Sequence, residues 1–490
     1  MRKGILLILD GYGENDSYEF NAVKCAKTPF LHALHSKSHS LLNTHGEAVG
    51  LFADEMGGSE VGHTTIGAGR VVPSTAKKIH DDIASGTFKK NKVLTKILKE
   101  VKDDNANIHF IGMLSDKNVH SDYNHVIELV KLAQDKAKHI FLHLITDGRD
   151  CGTTESLGFL ADLTNRLESV DNCEIASVAG RFYAMDRENN IDRTEKAFNA
   201  MFGGRYASET DNIERYIKAN HDQRISDEYI EPIHVKTVAD SSLHANDYVF
   251  IFNFREDRVR QIAKKIDSVD CKLATMANVA GVSSEVLYPN VKVTDTLSEH
   301  LSKLDLSQVK ISESTKYAHV TYYLNGGEES PFLREDRIHI PTIKVKNFSK
   351  TPKMRAKDIT KSTLESIIKQ YDAIIVNFSN PDMVGHTGDY KATVKALEYL
   401  DKCVHKICNK AMQEGYFVLL TADHGNAEVM RIDDKPNTAH TINDVMCVVI
   451  DQSEHNMKEF GTLSDVAPTF LDLMGVEPNI KFEGKSLVTD

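Results

Sequence analysis

Ile5–Leu6–Leu7–Ile8–Leu9–Asp10 is an unbroken apolar run that stops at a carboxylate. Such runs, apolar without alternation, read as strands covered on both faces and therefore as members of a parallel sheet. The pattern recurs. Ile108–Leu114 leads to Ser115 and His120, Ile140–Ile145 to Asp147, Ile175–Ala179 to Gly180–Arg181, and Tyr248–Phe254 to Arg255. Ile374–Phe378 precedes Asp382, and Phe417–Leu420 precedes Asp423. Each run is followed by a loop and a helical pattern. One helix is expected from Asp389 as its cap, with Val394, Leu397, Val404 and Ile407 on its apolar face. The fold class is α/β with mainly parallel sheets, which gather ligands at the carboxyl ends of their strands.

At 490 residues the chain is long for one core, so two domains are expected. The segments around Pro73–Ser74–Thr75 and Val293–Thr296 are the best junctions, and the chain between them has a strand–helix series of its own. This gives a discontinuous outer domain, 1–75 with 296–490, and an inserted domain, 76–295, whose two connections could serve as a hinge. The balance of 59 basic against 71 acidic residues leaves −12, which argues against nucleic-acid or anionic-membrane binding while allowing a local basic pocket. Ile5–Leu9 is too short for a signal peptide's apolar region, and no run approaches a membrane span. Seven cysteines without a CxxC pair suggest reduced thiols and a cytoplasmic protein.

Chemistry concentrates at the run ends. Met56–Gly57–Gly58–Ser59–Glu60–Val61–Gly62–His63, continuing to Ile66–Gly67–Ala68–Gly69–Arg70, sets a serine among glycines, where backbone N–H groups can approach an anion. Val72 stands where a dinucleotide fingerprint needs its third glycine, so that reading fails. A serine hydroxyl is a weak nucleophile at pH 7 and needs a base or a metal. Asp10, the pair Asp382 and His386, the pair Asp423–His424, and His440 lie outside the insert. A lone aspartate at a strand end is usually a cap or a turn residue. Repeated aspartates with partner histidines are harder to explain that way, and from the residues alone a metal-ligand set stands level with it, of a kind suited to Mn²⁺, Zn²⁺ or Fe²⁺ rather than Ca²⁺. The insert instead carries arginines after its strands: Arg149, Arg181, Arg187, Arg255 and Arg258, with His120 and Asp150. Singly, each reads as a surface ion pair; together they describe a pocket for a small anionic acid. Asp150 is either a general base or the partner of Arg149.

Six segments carry a family resemblance: Leu9–Asp10–Gly11–Tyr12–Gly13, Met56 to Arg70, Thr146 to Asp150, Lys316–Tyr317–Ala318–His319–Val320–Thr321, Asn380 to Gly388, and Thr421 to Asn426. In that order they resemble the cofactor-independent phosphoglycerate mutase family, whose wider relatives are the alkaline-phosphatase-like metalloenzymes. The resemblance implies an outer phosphatase-like, metal-binding domain and an inserted substrate-binding, transferase-like domain. It implies an isomerase that interconverts 3-phosphoglycerate and 2-phosphoglycerate through a phosphoserine at Ser59, in glycolysis and gluconeogenesis. Asp382, His386 and His440 would hold one divalent ion, and Asp10, Ser59, Asp423 and His424 another; Mn²⁺ comes first, with Mg²⁺, Co²⁺ or Zn²⁺ as substitutes. His120, Arg149, Asp150, Arg181, Arg187, Arg255, Arg258 and Lys316 match substrate-binding positions, and Asp150 with His120 would move the proton. A monomer is implied.

The chain departs from the family at Gly58, where Asn is usual, at Met446, where Pro is expected, and along Ile340 to Arg355. A phosphatase, phosphopentomutase or sulfatase built on the same metal domain is the alternative, and the arginines of the insert count against it. A silent binding protein would have lost ligands, yet every metal position holds a competent residue.

Overall fold

The computed structural model describes residues 1–204, 207–237, 239–269, 271–290 and 292–489. It is α/β throughout and divides into two units, Met1–Ser74 with Lys292–Asp490, and Thr75–Val291.

In the first unit the described residues form an eight-stranded sheet ordered Glu335–Ile340, Gln308–Glu313, Ala373–Phe378, Lys3–Leu9, Tyr416–Thr421, Val445–Ile450, His39–Asn43, Phe460–Thr462. The first five run parallel, and Val445–Ile450 runs antiparallel to Tyr416–Thr421. That reversal brings the start of Val445–Ile450 to the edge where its parallel neighbours end. Ile5 through Leu9 are fully buried, as a strand sandwiched between helical layers must be, and each such side chain contributes about 1.5–3 kcal/mol. The helix Tyr390–Gln413 covers part of the sheet. Asp389 caps it by accepting from Ala392 N at 3.0 Å, and Leu397, Leu400, Val404, Ile407 and Ala411 form its buried face. Cys403 and Cys408 are packing residues on that face.

The second unit has its own eight-stranded sheet and its own core, ordered Glu285–Tyr288, Lys272–Ala277, Tyr248–Ile251, Ile108–Leu114, Ile140–Thr146, Cys173–Gly180, Ile233–Val235, Glu209–Thr210. Only the pairing of Cys173–Gly180 with Ile233–Val235 is antiparallel among the described residues. The strand expected over Tyr248–Phe254 stops at Ile251. Beyond it the Asn253 side chain accepts from Met113 N at 2.9 Å, so a side chain takes the place of the backbone ladder and the loop turns away.

Candidate functional site

Four parallel strands of the first unit and the reversed fifth deliver their ends to one edge of its sheet. Asp10 follows Lys3–Leu9, Lys316 follows Gln308–Glu313, Asp382 and His386 belong to the turn of helix after Ala373–Phe378, Asp423–His424 follow Tyr416–Thr421, and His440 precedes Val445–Ile450. Ser59 is the first residue of the helix Ser59–Ala68, with Gly58 as its cap. A helix start presents unpaired N–H groups and a partial positive charge, which suits an anion next to the hydroxyl.

These residues converge. Ser59 Oγ lies 2.9 Å from His424 Nε2 and 3.3 Å from Asp10 Oδ1, and it accepts from the Lys316 ammonium. Lys316 Nζ is also 2.6 Å from Asp10 Oδ1 and 2.7 Å from Asp382 Oδ2. Ligand atoms of Asp382, His424 and His440 all lie within 4.8 Å of one another, as do those of Asp10, His63 and Asp423. His386 Nε2 is 3.1 Å from both Asp382 Oδ1 and His440 Nε2. His424, a member of the first group, also faces the second, 3.6 Å from Asp10 Oδ1 and 3.5 Å from Asp423 Oδ2.

Three imidazoles are oriented by backbone. Nδ1 of His386 meets Thr438 O at 2.7 Å, Nδ1 of His440 meets Gly57 O at 2.8 Å, and Nδ1 of His424 meets Gly425 O at 3.2 Å. A carbonyl can only accept, so each Nδ1 carries the proton and each Nε2 turns a lone pair inward. Two such lone pairs, on His386 and His440, face each other beside a carboxylate. Asp382 draws protons to both rings. Its hydrogen bond raises the His386 pKa, and at His440 burial pushes down while Asp382 holds the imidazole above its ordinary value. A metal cation satisfies the same field.

The carboxylates are almost wholly buried and outnumber the cation beside them. Burial and the Asp423 charge push Asp10 up. Burial also pushes Asp423 and Asp382 upward, but His424 and His63 hold Asp423 well below the usual range, and Lys316 with His386 does so for Asp382. Lys316 is itself raised: burial opposes its charge, and Asp10, Asp382 and Asp423 overcome that. Three buried carboxylates against one ammonium leave negative charge that calls for a further cation, and the mixed oxygen and nitrogen donors fit a divalent one.

His63 was not singled out in the sequence. It sits one helical turn after Ser59, donates from Nδ1 to Ser59 O at 2.9 Å, and faces Asp423 Oδ2 at 3.2 Å. Asn377 was also missed. Its amide donates to Asp10 Oδ2 at 2.7 Å and meets His63 Nε2 at 3.1 Å. At Gly58 an added Cβ would make only ordinary contact with His440, so the site tolerates a side chain there.

In the second unit the strand ends build an arginine pocket, lined among others by Arg149, Arg181, Arg187, Arg193 and Arg258. Arg181 follows Cys173–Gly180 directly and is buried. It bonds Asp147 at 2.5 Å, Asp150 at 2.6 Å and His120 Nε2 at 3.0 Å. Arg149 faces Glu228 at 3.8 Å, so Asp150 pairs with Arg181 and not with its sequence neighbour. Asp257 gathers Arg255 at 3.1 Å and Arg187 at 3.6 Å, with His120 Nδ1 at 3.9 Å. Burial and the Arg181 charge push the His120 imidazole down to about 4. Burial, with Arg187, Arg181 and Arg149, likewise lowers Arg258, a guanidinium crowded by its own kind. A small acid bearing several negative charges relieves that crowding.

The sequence matches the Metalloenzyme superfamily over residues 2–478. It is similar to the 2,3-bisphosphoglycerate-independent phosphoglycerate mutase of Coxiella burnetii, 40% identical over 506 residues, covering 99% of this chain and 97% of the relative. A protein of that name from Clostridium botulinum is 37% identical, covering 99% of each chain. The crystal structure of Leishmania mexicana phosphoglycerate mutase at low cobalt concentration matches with a TM-score of 0.69 at 29% identity, over 100% of this chain and 98% of that one. Strand-end donors fitted to a cation around one serine, matched from end to end by relatives of one name, make this chain a member of the 2,3-bisphosphoglycerate-independent phosphoglycerate mutase family.

Proposed function

We propose that the chain interconverts 3-phosphoglycerate and 2-phosphoglycerate by passing the phosphoryl group through Ser59. The observation that carries this reading is the Ser59 hydroxyl, which touches His424, Asp10 and the Lys316 ammonium at the start of a helix. We assign Asp382, His386 and His440 to one divalent ion, and Asp10, Ser59, Asp423 and His424 to a second, with Mn²⁺ as the first choice. Ions held there lower the pKa of the serine hydroxyl and draw charge from the phosphoryl oxygens.

The chain's own residues do the rest. Ser59 Oγ, its proton released to solvent beforehand, forms its bond to phosphorus as the bond from phosphorus to a glycerate oxygen breaks, and Lys316 offsets the charge on the phosphoryl group. Arg149, Arg181, Arg187, Arg255 and Arg258 of the insert hold the acid through paired guanidinium contacts. His120 is neutral near pH 7 and its Nε2 already accepts from Arg181, so its role is to orient that arginine. Asp150 carries the proton between the 2- and 3-hydroxyls, and the phosphoryl group returns to the other oxygen. We extend the reading to a cytoplasmic monomer of glycolysis and gluconeogenesis; its seven free cysteines fit a reducing compartment. Phosphorus NMR of the purified protein with 3-phosphoglycerate tests the proposal. The expected result is 2-phosphoglycerate with little free phosphate, lost on chelation and restored by Mn²⁺. Release of inorganic phosphate as the main product would make the chain a phosphatase.

A further inference from the structure

The Glu428 carboxylate belongs to none of the donor groups above, yet it touches three of the loops that carry them. It is buried, 1% exposed. Its Oε2 accepts from Asn426 N at 2.8 Å and Gly13 N at 3.2 Å. Its Oε1 accepts from Asn443 Nδ2 at 2.9 Å and from the Thr441 hydroxyl. Gly13 lies in the loop of Asp10, Asn426 in that of Asp423 and His424, and Thr441 follows His440. These loops serve Lys3–Leu9, Tyr416–Thr421 and Val445–Ile450, neighbours in the sheet. Ala427 N bonds Gly11 O at 3.0 Å and Thr441 N bonds Gly425 O at 3.1 Å, so the loops are also laced to one another. Asn426 extends the lacing by donating to Asp382 Oδ1 at 2.9 Å.

Two glycines follow from this carboxylate. A Cβ on Gly13 would overlap Glu428 Cδ, and one on Gly425 would overlap Oε1 as well as the Thr441 hydroxyl. With both oxygens tethered, Glu428 cannot swing aside. Gly13 does not have a positive φ, so at that position the overlap and not the backbone excludes a side chain.

We propose that Glu428 is the positioning residue of the metal centre: through Gly13, Asn426 and Thr441 it fixes Asp10, Asp423, His424 and His440 at the spacing a divalent ion needs. The inference rests on reading those four as ligands. Groups that orient ligands in this way typically govern metal affinity about tenfold to a hundredfold. Glu428→Gln keeps the shape but turns one oxygen into a donor. The remaining oxygen can stay on the Gly13 and Asn426 amides, leaving the new N–H against Asn443 and Thr441, so the His440 arm loosens.

The test is Mn²⁺ titration of the chelator-stripped full chain, with free ion read by electron paramagnetic resonance. Glu428→Gln, its fold checked by near-ultraviolet circular dichroism, is expected to weaken the Mn²⁺ Kd by about tenfold or more. Excess Mn²⁺ should restore kcat, with KM for 3-phosphoglycerate unchanged. Gly13→Ala should weaken Mn²⁺ strongly in the parent and less in a Glu428→Asp background, whose shorter side chain withdraws from residue 13. A Glu428→Gln Kd within about twofold of a Mn²⁺-binding parent would overturn the positioning role alone. An equal Gly13→Ala loss in both backgrounds would do the same. A parent that binds no Mn²⁺ would overturn the ligand reading and this inference together.

Discussion

Ser59 shares its hydroxyl with an imidazole, a carboxylate and an ammonium, a set of contacts that an inert helix-start serine has no reason to collect. Ser59→Ala removes the proposed nucleophile while leaving the aspartates and histidines in place. Turnover of 3-phosphoglycerate is expected to disappear with Mn²⁺ content close to the parent's. Residual activity above about a thousandth of the parent's would count against Ser59 as the phosphoryl carrier. At this scale the sequence was readable where a residue ended an apolar run. Asp10 and Asp423 announce themselves in this way. His63 does not, because its helix reads Ser59–Glu60–Val61–Gly62–His63 and a mid-helix glycine blurs the period. That glycine is there because a Cβ at residue 62 would press on the Asp423 backbone. Partnerships were less legible still. Asp150 turned to Arg181, and His424 stands between two donor groups, choices made by folding and not by spacing.

At the scale of elements, continuous apolar runs reported the central strands well, since a strand buried on both faces has few polar positions to break the run. His39–Asn43, Phe460–Thr462 and Glu335–Ile340 were illegible for the opposite reason: they lie at or near sheet margins and alternate or expose their side chains. Polar residues inside runs were equally easy to pass over. His109 and His143 sit inside Ile108–Leu114 and Ile140–Thr146, fully buried and joined Nδ1 to Nε2 at 3.0 Å. His143 Nδ1 meets Ser177 Oγ at 3.0 Å, and His109 Nε2 lies 3.6 Å from Asp247. Burial holds both imidazoles below their ordinary pKa, in His109 against the pull of Asp247, and in His143 with His109 and His234 adding to it. The unfolded chain therefore binds protons at these rings below about pH 6.5, where the folded chain does not. Stability is fully present above that pH and falls on acidification, by at most about 1.4 kcal/mol per pH unit for each ring. Thermal unfolding of the full chain between pH 7.5 and 5.5, values bracketing the histidine range, should show the midpoint dropping with acid. His143→Gln, at a cost in overall stability, should flatten that slope. An unchanged slope would show that other groups govern the acid limb.

For the whole molecule, the division of the chain is itself an experiment waiting to be run. The outer unit is built from Met1–Ser74 and Lys292–Asp490 and has a core and a sheet to itself. Both cut ends are anchored within the outer unit: Ser74 N bonds Gly50 O at 2.8 Å and Val293 N bonds Gly326 O at 2.8 Å, and the Arg70 guanidinium joins the two segments by donating to Thr294 O at 2.8 Å. A glycine–serine linker in place of 75–291 therefore joins two anchored ends, and its closure cost grows only slowly with its length. Every proposed metal ligand stays in the shortened chain, whereas Arg149, Arg181, Arg187, Arg255, Arg258, His120 and Asp150 leave with the insert. The shortened chain is expected to fold cooperatively, to bind Mn²⁺ with the parent's stoichiometry, and to hydrolyse simple phosphate monoesters, since nothing remains to hand a phosphoryl group back to glycerate. Isomerisation of 3-phosphoglycerate should be absent. Retained isomerisation would show that the arginine pocket does not hold the acid during the reaction, and loss of Mn²⁺ binding in a folded product would show that the insert contributes ligands of its own.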